Sequence, residues 1–481
     1  MIKTYENLEN QLINVIEIPR MSGDEKRIIK YIKDYCSDLD VNVIEEDDNL
    51  IIDKINQKNN DQFVIVQGHL DMVYVKEDSK NHDYNDGIKV LIADNFITAD
   101  GTSLGADNGV GISYILNLIS VTDEHLPNFR LILTSEEEVG LVGASKIEEK
   151  YLNSKYLINV DTETEGVAFI GCAGGARAKF FSAINREYID LNYCNKIRIQ
   201  LSTDKGGHSG INIKEIRGNG IKYFPQMLEA INEKVYISLI TGSGKANAIS
   251  KELVIEGFVN EKDIDFLYDS LKKLEDSINN EITPEDSVKI KIKKLEFKSS
   301  EVYTKKTLQK LSQVIELIPQ GVYSMSPKIN GLVQTSLNVG ELSDEGDGFT
   351  VLCSIRSSVE SQMNEMIKKL KLISKLNSSN VEVFNRYPAW EINNESNLVK
   401  IAEKVYQTQH GKKLTIEAIH AGLECGYFSS KNPELDIISI GPDIFNAHTT
   451  EEKCDLDSFY RTWDFLCGIL YEINKEYMSN E

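Results

Sequence analysis

Strand-like apolar runs alternate with helical periodicity in the first third of this sequence, and again after residue 387. Segments 63–66, 129–133 and 156–160 are short apolar runs of the kind that forms buried strands. Apolar residues at helical spacing follow Asp107. Because strands that alternate with helices form a sheet covered by helices, we predict an α/β domain with a buried mixed sheet and flanking helices.

The segment 187–386 has a different pattern. Period-2 alternation, clearest in residues 287–292, predicts antiparallel strands with one exposed face. The order strand, helix, strand, strand, helix, strand predicts a split βαβ (ferredoxin-like) unit, and a similar order follows over 304–385 without an obvious first strand. We therefore predict one discontinuous α/β domain, formed by 1–186 and 387–481, with 187–386 inserted as an α+β domain.

The charge balance restricts the partners of the chain. The 481 residues include 53 Lys and Arg against 75 Asp and Glu, which gives a formal net charge of −22. Nonspecific binding of nucleic acid or of anionic membranes uses basic patches, so we expect neither partner. Residues 1–13 lack the basic and apolar regions of a signal peptide, and no apolar run is long enough to span a bilayer. The sequence predicts an unexported, cytoplasmic protein.

The cysteines argue against a disulfide framework. There are seven, they are widely scattered, and none forms a Cys-x-x-Cys pair. This pattern is typical of a reducing compartment, and it also argues against a thiolate zinc site. Any metal site must therefore be formed by carboxylates and by members of the seven His residues.

Side chains that can bind a cation follow several of the predicted strands. Open α/β sheets form their sites beyond the carboxyl ends of strands. The candidates are His69 and Asp71, Asp107 in a glycine-rich turn, the acidic run 136–138, Asp161, and His448. Each has an ordinary alternative, such as a turn residue, a helix N-cap or a solvated acidic face. Five such placements in one α/β pattern together favour a metal site.

In this order, and with Gly-Gly-His-Ser-Gly at 206–210, these residues resemble the motifs of the co-catalytic zinc peptidases of the M20 family. The similarity is closest to the aminoacyl-histidine (Xaa-His, carnosinase-like) dipeptidase branch. The local sequences that carry this similarity are 67–73, 102–109, 171–175 and 420–426. The resemblance extends from about residue 5 to the end of the chain. It implies that the α/β domain is a zinc-peptidase catalytic domain and that the inserted domain is a lid.

The resemblance also implies a metal centre. In it, Asp107 would bridge two Zn²⁺ ions, with Mn²⁺ or Co²⁺ as substitutes, and the peptide bond between Asp107 and Asn108 would be cis. The remaining implied ligands are His69 and Asp161 for one ion, and Glu138 and His448 for the other. Three carboxylates on two Zn²⁺ ions leave a net positive site, which lowers the pKa of a bridging water from 15.7 toward about 7.

The same resemblance implies the catalytic roles. Glu137 would be the general base that produces the metal-bridging hydroxide and passes the proton to the leaving amine. Asp71 would orient His69. His208, in the inserted domain, would stabilise the oxyanion from the same chain or from a partner subunit. Glu136 has no implied role.

A dipeptidase must bind both ends of its substrate. Arg356, with its bidentate fork, and Asn338 are the candidates for the substrate carboxylate. Glu424 is the candidate for the free amine. All three have an ordinary alternative as ion-pair or capping residues.

Three functions are compatible with the sequence. The first is a two-zinc dipeptidase that cleaves dipeptides with a free N-terminus, either Xaa-His or of broad specificity. The second is an N-acyl amino acid deacylase or another aminopeptidase with the same chemistry. The third is a catalytically inactive metal-binding homologue, against which the complete set of Glu137 and five ligands argues. Both a monomer and a homodimer fit the sequence.

Overall fold

The computed structural model describes residues 5–57, 62–190, 194–296 and 301–479. Contacts divide the chain into two compact units. The first unit comprises Met1–Cys172, Trp390–Ile419 and Leu423–Glu481, and the second comprises Ala173–Ala389 and His420–Gly422. The first unit is thus discontinuous in sequence, and the second interrupts it.

The described residues form helices and strands throughout both units. The α-helices are α1 (Tyr5–Ile16), α2 (Lys26–Cys36), α3 (Ala106–Ser120), α4 (Val142–Lys146), α5 (Phe224–Ala230), α6 (Ile264–Asn279), α7 (Lys305–Leu317), α8 (Glu360–Leu376), α9 (Asn397–His410), α10 (Cys425–Lys431) and α11 (Leu456–Ser479). Short 3₁₀ helices lie at Tyr84–Asp86, Glu149–Leu152, Gly220–Tyr223 and Glu261–Asp263. None of the helices in the described ranges has both the length and the apolar character that crossing a membrane requires.

The strands are β1 (Asn42–Glu46), β2 (Asn49–Lys54), β3 (Phe63–His69), β4 (Val90–Ala93), β5 (Phe96–Ala99), β6 (Asn128–Thr134), β7 (Tyr156–Asn159), β8 (Val167–Cys172), β9 (Gly174–Ala183), β10 (Arg186–Tyr188), β11 (Cys194–Thr203), β12 (Gly207–His208), β13 (Val235–Ser243), β14 (Ala248–Ile249), β15 (Glu252–Asn260), β16 (Val288–Lys294), β17 (Glu301–Tyr303), β18 (Gly321–Met325), β19 (Val333–Asp344), β20 (Gly348–Ser357), β21 (Asn380–Tyr387), β22 (Thr415–Ile419), β23 (Asp436–Ser439), β24 (Ile444–Phe445) and β25 (Lys453–Asp455).

The first unit is built on an eight-stranded mixed sheet in the order β1-β2-β6-β3-β7-β23-β8-β22. Its central strands β6, β3, β7 and β23 run parallel to one another. The register pairs His69 with Thr134 and Gln67 with Asn159, so these strands end at the same edge of the sheet. The segments that follow the central strands therefore leave the sheet from a common edge, and they carry the predicted metal ligands.

Helices cover this sheet and complete its core. Helix α3 is apolar on almost all sides, and Ile112, Ile115 and Leu116 are fully buried in it. It packs against α1 and β3, while Phe459 and Trp463 of α11 contact Tyr114. Full burial of each large apolar side chain contributes about 1.5–3 kcal/mol. The N-terminal end of α3, which carries Asp107, is thus fixed by a buried helix.

The second unit contains a nine-stranded sheet in the order β16-β11-β15-β13-β19-β20-β9-β21, with β18 paired to β19. Strands β11, β13, β15 and β16, with α5 and α6, have the order of one split βαβ motif. Strands β9, β19, β20 and β21, with α7 and α8, have that of a second. The two motifs join edge to edge through β13 and β19.

The first strand of the second motif precedes the whole of the first motif in the chain. This strand, β9, pairs with both β20 and β21 and so belongs by its contacts to the second unit. The sequence pattern instead predicts that residues 173–186 belong to the first domain. Strand β9 begins with glycines and mixes small, charged and aromatic residues, which is not a typical strand pattern. Its pairing partners also lie far along the chain.

Candidate metal and catalytic site

The predicted metal-binding side chains of the first unit form two groups around Asp107. Its Oδ1 lies 2.9 Å from Nε2 of His69, and that nitrogen lies 3.3 Å from Oδ1 of Asp161. Its Oδ2 lies 3.1 Å from Nε2 of His448, which is 2.8 Å from Oε1 of Glu138. Each oxygen of Asp107 therefore faces its own pair of one imidazole and one carboxylate. The peptide bond that follows Asp107 is cis.

The donor set fits metal ions. Ligand atoms of His69, Asp107 and Glu138 lie within 4.8 Å of one another. Two ligands on a tetrahedral Zn²⁺ with bonds of about 2.0–2.1 Å are ~3.3 Å apart, close to the separations found around Asp107. Burial raises the pKa of Asp161 and of Glu138, since crowded carboxylates in a buried site are unfavourable as anions without a cation. The hydrogen bonds to Asp107 and Glu138 raise the pKa of His448 to about 11, so this position strongly favours positive charge.

Asp71 connects His69 to the acidic run. The backbone oxygen of Asp71 accepts a hydrogen bond from Nδ1 of His69 at 3.1 Å, which leaves Nε2 free to bind a metal. Its carboxylate accepts the N–H of Glu137 at 2.9 Å, the N–H of Glu138 at 3.1 Å and the hydroxyl of Ser22 at 2.7 Å. Burial alone would raise the pKa of Asp71, but its interactions with His69, Ser22 and Glu137 outweigh burial and lower it.

Glu137 differs electrostatically from Asp71. Burial raises the pKa of Glu137 well above its ordinary value, and the positive charge of His69 only partly opposes this rise. A carboxylate that readily accepts a proton suits a general base. Its neighbour Glu136 has a positive φ of 50° and donates its N–H to Oε1 of Glu25 at 3.1 Å. This turn is what brings the next two backbone N–H groups to Asp71.

Glu424 lies in the first unit and is fully buried. Its Oε2 accepts hydrogen bonds from Nε2 of Gln67 at 2.5 Å and from the hydroxyl of Thr134 at 2.7 Å. Among the residues that the structure describes, Oε1 has no hydrogen-bond partner. Burial raises the pKa of Glu424 to about 8. The side chain is therefore placed beneath the ends of β3 and β6, beside the residues that lead into the site.

Two buried charged residues of the first unit were missed by the sequence analysis. Glu452 accepts backbone N–H groups of the turn before Asp107, and Arg20 donates to backbone oxygens of that turn and of the loop after His69. Their partners are main-chain atoms, which leave no pattern of residue types in a sequence. The only signal for Glu452 is its position four residues after His448.

In the second unit, His208 and Arg356 form a group of hydrogen-bond donors. Nδ1 of His208 accepts the N–H groups of Gly210 and Ile211, both at 3.3 Å, so the proton of the neutral ring lies on Nε2. That nitrogen is 3.4 Å from Nη2 of Arg356, which is also a donor. Burial, followed by the charge of Arg356, lowers the pKa of His208 to about 4. Nε2 of His208 and Nη2 of Arg356 are thus two hydrogen-bond donors that lie side by side. Such a pair suits the binding of an anionic oxygen.

Glycine is required at position 210 for this arrangement. A Cβ there would lie 2.6 Å from the backbone oxygen of His420 and 3.1 Å from Cε1 of His208. Such contacts are too close for any side chain, so the loop can approach His208 and Arg356 only as glycine.

The structure places Asn338 within internal hydrogen bonds of the second unit. Its Nδ2 donates to the backbone oxygen of Ala248 at 2.7 Å, and its Oδ1 accepts from Nε2 of Gln320 at 3.1 Å. It is buried, with 1% of its surface exposed. These contacts fix the neighbouring loop, and no contact joins Asn338 to Arg356 or His208 among the hydrogen bonds of the described residues.

The α/β unit collects imidazoles and carboxylates at the ends of parallel strands, which is the donor set of a metal-dependent enzyme. The chain belongs to Peptidase family M20/M25/M40, whose sequence profile matches residues 65–472. It is thus a metal-dependent hydrolase of peptide bonds. The resemblance identified from the motifs and the predicted fold class are both confirmed.

A named protein and two solved structures align with almost the whole chain. The cytosol non-specific dipeptidase of Escherichia coli strain K12 is 30% identical over 468 residues, which cover 95% of this chain and 96% of that protein. The crystal structure of aminoacylhistidine dipeptidase from Vibrio alginolyticus is 29% identical, covers 96% of each chain and has a TM-score of 0.83. The aminopeptidase PepT from Bacillus cereus ATCC 10987 shares the fold at 18% identity and a TM-score of 0.61, covering 98% of this chain and 99% of its own.

Proposed function

We propose that this protein is a two-zinc dipeptidase that cleaves dipeptides with a free N-terminus, either Xaa-His or of broad specificity. The observation that carries the proposal is the position of Asp107, whose two oxygens each face a separate imidazole and carboxylate. The metal ligands are His69 and Asp161 on one side, and Glu138 and His448 on the other. The names of the Escherichia coli and Vibrio alginolyticus relatives support a dipeptide substrate.

The residues of the first unit divide the chemistry among them. Bound metal ions would supply Lewis-acid polarisation of the scissile carbonyl and would acidify the attacking water. Glu137 takes the proton from that water and transfers it to the leaving amine, which its raised pKa favours. Asp71 holds His69 in the tautomer that presents Nε2 and fixes the backbone of Glu137 through its N–H.

The substrate ends are assigned to other groups. We assign the oxyanion to His208 and the substrate carboxylate to Arg356, since both present donors of the second unit. Asn338 supports this carboxylate position by fixing the loop at Ala248. Glu424 is assigned the free amine through its unpaired Oε1, and because it is fully buried the neighbouring side chains must shift to admit the amine.

The cellular setting follows from the relatives and the charge. We propose that the protein acts in the cytoplasm on small peptides, as the name of its Escherichia coli relative suggests for that protein. The net charge of −22 opposes association with nucleic acid and anionic membranes.

Metal dependence and substrate class can be tested in one experiment. The protein is stripped with a chelator, reloaded with Zn²⁺, Mn²⁺ or Co²⁺, and assayed on Ala-His, Ala-Ala and their N-acetylated forms. We expect no hydrolysis by the stripped protein, recovery with two ions per chain, and cleavage only of peptides with a free amine. Preference for the N-acetylated forms would establish a deacylase instead, and saturation at one ion per chain would exclude the bridging role of Asp107.

The first prediction concerns the general base. Glu137→Gln should bind the metal ions normally but lose about 10²–10⁴-fold in kcat, because an amide cannot accept the proton. The matched control is Glu136→Gln, which removes the adjacent carboxylate and should retain activity within a few fold. Metal content and kcat are measured on the same preparations. Full activity of Glu137→Gln would contradict the mechanism.

A further inference from the structure

The peptide unit of Gly105 is held from both sides by buried charged groups. Oε2 of Glu452 accepts the N–H of Gly105 at 2.9 Å and that of Leu104 at 2.8 Å, and Oε1 accepts the N–H of Ala106 at 2.8 Å. Nη2 of Arg20 donates to the backbone oxygen of Gly105. Arg20 is fully buried and Glu452 is 3% exposed. We call this arrangement of Arg20, Gly105 and Glu452 the Gly105 clamp.

Glu452 accepts backbone N–H groups of the turn before Asp107 from a distance in the sequence. Gly105 has a left-handed φ of 75°, and the helical conformation of α3 is interrupted at Asp107 and Asn108, whose backbone angles are non-helical. Buried backbone N–H groups need acceptors, and an irregular segment cannot supply them from a preceding helical turn. The carboxylate of Glu452 is that acceptor for residues 104–106.

The clamp also ties together the loops that carry the proposed metal ligands. Glu452 lies four residues after His448, so its carboxylate fixes the His448 loop to the Asp107 turn. Nη1 of Arg20 donates to the backbone oxygen of Asp71 at 2.9 Å, so Arg20 fixes the loop after His69 to the same turn. All three loops therefore meet at one peptide unit.

Side-chain ends pack closely around Gly105. A Cβ at this position would lie 2.8 Å from Nη2 of Arg20 and 2.7 Å from Sδ of Met72. The positive φ of 75° favours glycine as well. Glycine therefore allows the guanidinium of Arg20 to pack directly against the peptide unit whose N–H is bound by Glu452.

We propose that Arg20 and Glu452 are positioning residues that set the distance between Asp107, His69 and His448 at the value that metal binding requires. This inference rests on the proposed metallodipeptidase function. Residues that support metal ligands in this indirect way commonly change metal affinity by 10–100-fold when altered.

The test compares Glu452→Gln with a matched control, Asp436→Asn. Asp436 likewise accepts backbone N–H groups that are remote in the sequence, those of Asn397 and Leu398 at 2.8 and 2.9 Å, but it lies at the opposite end of β23 from the site. The affinity for Zn²⁺ is measured by competition with a chromophoric chelator, together with the unfolding temperature of each apo-protein. We expect Glu452→Gln to bind at least one Zn²⁺ about 10–100-fold more weakly, and Asp436→Asn to lose stability but bind Zn²⁺ like the wild type.

A second variant keeps the test decisive if Glu452→Gln does not fold. Arg20→Lys retains the buried charge but cannot span the oxygens of Asp71 and Gly105, so we expect it to weaken Zn²⁺ binding similarly. Wild-type affinity for both ions in a folded variant at either position would overturn the inference, whatever its unfolding temperature. Failure of the wild type itself to bind Zn²⁺ would instead refute the proposed function.

Discussion

Carboxylates of nearly identical chemistry have different environments in the first unit because their partners differ. Both oxygens of Asp107 face imidazoles, which agrees with the bridging role proposed for it. Asp71 and Glu452 instead accept backbone N–H groups and so connect loops. Burial raises the pKa of Glu137, which agrees with its proposed role as general base. The environment of each side chain, more than its type, distinguishes the proposed roles.

A buried imidazole in the second unit should make stability depend on pH. His420 is 8% exposed, its Nε2 lies 2.7 Å from the hydroxyl of Ser336, and burial, followed by the charge of Arg356, lowers its pKa to about 3. Below about pH 6.5 the unfolded chain binds a proton at His420 that the folded chain does not. The free energy of unfolding should therefore fall by about 1.4 kcal/mol per pH unit between pH 6 and 4 through this residue.

The comparison with His420→Gln isolates this contribution. Urea unfolding of both proteins is measured at several pH values from 8.5 to 4.5. Their difference in unfolding free energy should be constant above pH 7 and should shift in favour of the variant as the pH falls. A difference that stays constant across the whole range would contradict the assignment of a neutral, buried His420.

A candidate site residue can be recognised in the sequence when it follows a strand or helix with a clear apolar pattern. His69, Asp161 and His448 could be proposed as ligands because each comes after an apolar strand run, and each lies within 3.3 Å of another candidate ligand. Arg20 and Glu452 could not, since their partners are backbone atoms of segments remote in the sequence.

At the scale of elements, three lysines take the place of glycine at helix C-termini. Helices α3, α4 and α7 end at C-cap residues Val121, Ile147 and Ile318, all with negative φ. The Nζ atoms of Lys54, Lys431 and Lys222 respectively donate to three backbone oxygens at these ends. Each ammonium satisfies the free carbonyls and complements the negative end of the helix dipole.

Lys54→Met tests the importance of this capping. The variant retains the apolar stem but leaves the oxygens of Leu118 and Ile119 without their buried donor. We expect a loss of about 1.5–3 kcal/mol in the free energy of unfolding, measured by urea denaturation. Lys30→Met is the control, because Lys30 is 76% exposed in a surface pair with Asp34 and should change stability by less than about 1 kcal/mol. Equal effects of the two variants would refute a capping role.

Most element positions could be predicted from periodicity, but helix starts depend on local chemistry. The sequence pattern over 218–233 predicts one helix, whereas the structure has a 3₁₀ turn at Gly220–Tyr223 followed by α5. Pro225 lies in the first turn of α5, where its missing N–H has no cost. Proline and the Asn219 cap, which accepts from Ile221, set these boundaries.

At the scale of the whole molecule, the insertion of one split βαβ motif within another determines what can fold independently. Strand β9 lies between β20 and β21. We expect a fragment of residues 173–389 to fold, and one of residues 187–386, which lacks β9, to remain unfolded or aggregate, because β20 and β21 would lose their shared partner. Circular dichroism and urea unfolding of both fragments provide the measurement. Similar cooperative unfolding of the two would show that β9 is dispensable.

The discontinuous first unit and the presence of two split motifs could be predicted from the return of one sequence pattern after another. The position of β9 could not, since strand pairing over such a sequence separation leaves no local signature. Its partners are identified only by the register, which pairs Phe180 with Val351 and Val381.

The nested order of the second unit also bears on how the chain is made. Strand β9 leaves the ribosome before its partners β20 and β21, with residues 184–347 in between. At a synthesis rate of about 5–20 residues per second, β9 has neither partner strand available for on the order of 10–40 s. We expect Gly174, Gly175, Arg177 and Lys179 to disfavour pairing of β9 with other chains in that interval, because aggregation-prone segments have low charge and few glycines. The composition that makes β9 difficult to predict from the sequence therefore also suits a strand that is unpaired during synthesis.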